Sequence, residues 1–165
     1  MPIGDLSALA LAIPDEYKPL AAIGIGAFVL VCLMFFHGLG THRILVQRQR
    51  GEQRLLSGKH HLFAIALLFE WAVFLMLVLH LVEIEVWALT LQCLGLIPRA
   101  QDAFFFCANA YTTIGYGVVD LEPHWRNISP MISISGLFTF AWTTSSLVNV
   151  VGAHARLLEE REAEE

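Results

Sequence analysis

The sequence predicts an all-α integral membrane protein: three transmembrane helices, a re-entrant half-helix and an extended loop. Three observations predict it. Only 15% of the 165 residues are charged while 56% are apolar, against about 25% charged in a soluble domain. The charges avoid three long stretches and crowd between them, as a bilayer requires. A fourth apolar stretch is too short and too polar to cross.

The elements follow in chain order. Residues 1–18 have no basic start and carry Asp5, which argues against a signal peptide and for an external N-terminal segment. Residues 19–40 form the first span, uncharged from 20 to 36 and continuing through His37. Residues 41–61 hold Arg43, Arg48, Arg50, Arg54 and Lys59 against one acid, Glu52, and basic loops stay cytoplasmic. This linker is therefore expected inside, with the N-terminus outside. Residues 62–90 form the second, outer helix, whose apolar stretch 62–82 is interrupted only by Glu70 and His80, and residues 128–152 form the third span, with no charged residue. Residues 153–165 are an acidic tail, expected in the cytoplasm as a solvated helical extension. The expected location is the plasma or inner membrane, crossed several times.

Composition excludes other classes. The net charge of −5 offers no basic face to nucleic acid. Cys32, Cys93 and Cys107 have neither disulfide-framework nor zinc spacing. No nucleophile, base and oxyanion donors gather at a catalytic spacing, so no enzyme is expected. No cofactor and no soluble ligand-binding domain is evident. Gly24 and Gly26 lie within an apolar span and suit close helix packing, since a dinucleotide motif needs a strand before it.

Between the second and third spans, residues 101–117 read QDAFFFCANAYTTIGYG. A helix over 102–112 descends roughly 16 Å, about half a bilayer, with Asp102 as its expected N-cap. Gly115 and Gly117 free the backbone for the return. Irregular backbone at membrane depth survives only inside protein or along water, so this segment is expected to line a pore.

Thr113-Ile114-Gly115-Tyr116-Gly117 resembles the selectivity filter of potassium channels, with Ile114 at the usual Val position. The resemblance takes in residues 62–152 as a minimal pore domain and leaves the first span outside. It implies that the carbonyls of Thr113, Ile114, Gly115 and Tyr116, with the Thr113 hydroxyl, coordinate K⁺ in place of water. Gly117 completes the filter. It also implies a homotetramer, because one filter per chain closes a ring only with four chains. Phe105, Phe106, Asn109, Tyr111, Thr112, Val118 and Asp120 flank the filter as its expected support. Asn109 and Val118 stand where many minimal bacterial channels place a Glu and an Asp, and phenylalanines stand where that family often has tryptophan.

On the third span Gly136 falls near the family's hinge position, although glycine serves equally for close packing. Ser135, Thr139, Thr143, Ser146 and Asn149 form one polar stripe, read as a cavity wall or as hydrogen bonding between helices. Glu70, mid-span, is a candidate for coupling pH to gating or a buried, hydrogen-bonded acid. His60 and His61 read as interfacial. His80, Glu83 and Glu85 read as a solvated outer rim, or as an entrance that enriches cations. The expected function is passive, K⁺-selective conduction across the bilayer without voltage sensing, since no span carries spaced arginines. The alternatives are a weakly selective cation channel and a non-conducting membrane regulatory subunit.

Overall fold

A computed structural model describes residues 7, 8, 10, 12–55, 62–117 and 120–162. All its regular structure is helical among the described residues: α1 (Lys18–Leu55), α2 (Leu62–Cys93), the short α3 (Ala100–Tyr111), a 3₁₀ turn (Pro123–Trp125) and α4 (Ile128–Glu162). α1, α2 and the segment Pro123–Gly152 are long and apolar enough to cross a bilayer. α3, at 12 residues, is not.

α1 outruns its expected span. The helix continues through residues 41–55, where the basic linker was expected, because that stretch has no proline and Arg48 bonds Glu52 one turn on, Nη2 to Oε2 3.2 Å. Residues 56–61, including His60 and His61, lie outside the described residues. α2 reaches Cys93, three residues past its expected end, and α4 runs through the tail to Glu162.

α1 is central to the subunit. It packs along both α2 and α4, while α2 lies against α3, α3 against α4, and α2 touches α4 over a smaller area. Small residues permit these approaches. A Cβ at Gly26 would stand 2.9 Å from Met131, at Gly38 3.1 Å from Trp142, and at Gly40 2.9 Å from Leu79. The first span is thus built into the pore domain.

The core gathers at the outer end predicted for the bundle. Trp87, Leu91, Ala103, Cys107, Tyr111, Trp125, Ile128 and Ile132 are buried together. Much of the remaining apolar surface, including Phe28, Phe35, Phe63, Trp71 and Phe138, is exposed on the single chain. A bilayer and neighbouring subunits are the surroundings in which such faces are stable.

Candidate functional site: the pore helix, the filter and a buried polar ring

α3 begins two residues before its expected start. Arg99 is the N-cap, with extended backbone and no side-chain cap, and Asp102 sits in the first turn, 3.4 Å from the Arg99 Nε. The carboxylate therefore serves the helix dipole and an ion pair instead of the expected cap.

The other end of α3 leads into residues 113–117, the candidate filter. Thr112 is the C-cap; the Ile114 N–H donates to the Asn109 carbonyl (3.0 Å) and the Thr113 N–H to the Ala110 carbonyl (3.1 Å). This pair of bonds is a Schellman motif, whose next residue takes a left-handed conformation that usually falls to glycine. Here Thr113 takes it, at φ +59°. A β-branched residue there costs about 1–2 kcal/mol, and such strain concentrates where backbone geometry has a task.

The left-handed turn then alternates. Thr113, Gly115 and Gly117 have φ of +59°, +72° and +51°, while Ile114 and Tyr116 keep negative φ. A strand throws successive carbonyls to opposite sides; alternating the hand of φ instead brings successive peptide groups to face one way. A ladder of backbone oxygens on one side is what a dehydrating cation needs. On the single chain Ile114 and Tyr116 are 61% and 72% exposed.

The predicted supporting residues behave differently from one another. Tyr111 is buried, Phe106 half-buried and Phe105 exposed. Asn109 supports the filter through its main-chain carbonyl alone, because its Nδ2 donates to Phe105 of its own helix, 2.8 Å. Thr112 likewise turns its hydroxyl back to the Ala108 carbonyl, 2.7 Å. A cavity of about 180 Å³ behind the filter is lined by Phe105, Asn109, Gly115, Gly117, Asp120 and Ser129, among others. Asp120 is exposed beside it, and Val118 lies outside the described residues.

α4 corrects the expected cavity wall and hinge. Ser135, Thr139 and Thr143 are buried within the subunit, Ser146 is half-buried, and Asn149 is exposed. The first three bond between or along helices, or are packed against them, so they cannot line a water-filled cavity. The exposed residues on α4 include Leu137, Ala141, Thr144 and Val148, at helical spacing, and also Phe138, Ser145 and Asn149. Gly136 is a packing glycine: a Cβ there would stand 2.0 Å from the Tyr111 carbonyl oxygen. The Ser133 hydroxyl, one turn earlier, donates to the Ala110 carbonyl at 2.8 Å. The end of α3 is therefore clamped against α4.

Glu70 is exposed on the subunit surface, in place of the buried, bonded acid that was one reading of the sequence. The buried acid is Glu83. The expected solvated rim at His80 and Glu83 is overturned, for the two side chains are 5% and 0% exposed. His37 Nδ1 lies 2.7 Å from Glu83 Oε1, and the Tyr111 hydroxyl donates to Glu83 Oε2 at 2.5 Å. The same hydroxyl lies 2.9 Å from His80 Nδ1 and 2.5 Å from the Thr139 hydroxyl. His80 Nε2 and His37 Nε2 both meet the Thr143 hydroxyl, at 3.1 and 3.2 Å. All four membrane helices contribute. The available signal was general: an ionisable residue inside a span must find a partner, and His80 and Glu83, three residues apart, share a helix face.

Residues 63–153 match the family model described as "Ion channel", more than half of the chain. The chain belongs to this family, the two-transmembrane potassium-channel pore-domain family. No curated protein and no solved structure matches it. The matched region contains α3, the filter and the membrane part of α4; the first helix, which supplies His37, lies before it.

Proposed function

We propose that the chain is one subunit of a homotetrameric, K⁺-selective channel in which four copies of residues 113–117 surround a single ion path. The observation that carries this reading is the alternating φ at Thr113, Gly115 and Gly117, which supports an ordered ladder of carbonyls. Fourfold closure would cover the exposed Ile114 and Tyr116 side chains and complete the rings of oxygens. The C-terminal end of α3, whose dipole is negative, favours a cation below the filter. Leu137, Ala141, Thr144 and Val148 would then face the inner cavity, a mainly apolar wall with one hydroxyl per subunit. K⁺ is the substrate and is carried passively.

Purified protein in liposomes tests the reading. A K⁺ gradient should drive K⁺ flux that Na⁺ does not replace, with a tetramer on native gels; equal permeability would overturn the selectivity. One observation favours a weakly selective pore as the second reading. The Asn109 side chain bonds its own helix, so no side-chain brace from that position stiffens the filter within a subunit. Reversal potentials under opposed Na⁺ and K⁺ gradients separate the two.

A further inference from the structure

The polar contacts at the centre of the subunit close on themselves. Glu83 meets His37, His37 meets Thr143, Thr143 meets His80, His80 meets Tyr111, and Tyr111 returns to Glu83, at 2.7, 3.2, 3.1, 2.9 and 2.5 Å. These spacings suit protons between the atoms. A tetrahedral metal with ligand bonds of about 2.0–2.1 Å would hold its donors ~3.3 Å apart, farther than the 2.7 Å between His37 Nδ1 and Glu83 Oε1.

A ring of five hydrogen bonds needs five protons. His37, His80, Tyr111 and Thr143 supply one each in their neutral forms. The fifth has only two kinds of place: on the Glu83 carboxyl, or as the second proton of an imidazole beside an ionised Glu83. Either arrangement leaves the ring with no net charge, which suits a site closed to water. With four protons, two lone pairs face each other across one contact and the ring carries a net negative charge. With six, two donors collide and the net charge is positive. The ring is therefore closed at one proton count and open on either side of it.

We propose that His37, Glu83, Tyr111, His80 and Thr143 form a binding site for one exchangeable proton, and that its occupancy holds the end of the pore helix from which the filter starts. The acid–base groups of the ring are His37 from α1 and His80 and Glu83 from α2. Tyr111, from α3, remains a phenol throughout. α4 presents only hydroxyls to the ring, those of Thr143 and, on Tyr111, Thr139, with the Trp142 edge against His37. The link to the filter is short. Tyr111 ends α3, its carbonyl is pressed against Gly136, and the strained Thr113 follows two residues later. Opening the ring frees the phenol on which that register depends. Flux should accordingly peak at intermediate pH, falling on the alkaline side as the fifth proton leaves and on the acid side as a sixth enters.

Glu83→Gln tests the count. The Gln carbonyl accepts from His37 while its amide donates to Tyr111, so five neutral donors close the ring with no acid left to lose a proton. The alkaline fall in flux should be lost and the acid fall kept; an alkaline fall like that of the native chain would overturn the proposal. The inference uses the channel reading for that flux measurement alone. A second measurement needs neither flux nor the variant: ¹⁵N and ¹³C spectra of the full native chain in lipid vesicles at neutral pH. One extra proton should appear, either on the Glu83 carboxyl or on one of the two imidazoles. An ionised Glu83 beside two neutral imidazoles would overturn the proposal, whatever the protein conducts.

Discussion

The filter and the ring are neighbours of opposite character. Residues 113–117 are exposed on the single chain, and Thr113, Gly115 and Gly117 among them hold positive φ. The ring around Glu83 is buried and complete within one chain, every member bonded by side chains. Tyr111 and Thr113, two residues apart, stand on either side of this divide. The contrast shows how strain at Thr113 is tolerated: the helix that delivers it is fixed from behind by contacts within the chain. On the proposed reading conduction needs four chains, while the register of residues 113–117 is set inside one subunit.

The sharpest way to break the comparison is Gly115→Ala. On the single chain a Cβ there meets nothing within 4 Å, and the +72° backbone costs it about 1–2 kcal/mol. Selective K⁺ flux should vanish while native gels still show the tetramer. Gly136→Val attacks the support instead. With the Tyr111 carbonyl 2.0 Å from the first added carbon, overpacking should cost about 3 kcal/mol, read as a lower melting temperature of the assembly. Tyr111→Phe removes one ring member and leaves Glu83 and His80 each short of a partner; a loss of about 1.5–3 kcal/mol is expected in denaturant titrations. Ser133→Ala deletes a single bond to Ala110 and should cost about 1 kcal/mol by the same measurement.

The smallest effect is expected outside both regions. Lys18, 2.6 Å from Asp15, holds the Asp15 carboxyl below its ordinary range. Such a pair stabilises above the usual carboxylate range and is lost as pH falls through the lowered value. Because Asp15 is exposed and screened by water, Asp15→Asn should leave both thermal stability and the pH profile of flux unchanged.

The sequence by itself determined the membrane class, the three spans, the half-helix and the glycine pattern of residues 113–117. Each is written locally: twenty apolar residues must cross or aggregate, and glycines at alternate positions permit a backbone that other residues resist. Tertiary structure alone decided which polar residues face one another. A stripe such as Ser135, Thr139 and Thr143 has the same helical spacing whether it borders water or another helix, and only the packing of α1 against α4 turned it inward. His37 looked like the tail of a span and Glu83 like the rim of one. They lie 46 residues apart in sequence, and their meeting rests on three helices packing beside one another, with glycines on α1 that allow the close approach. Periodicity states which face a residue is on; it carries no information about what that face meets.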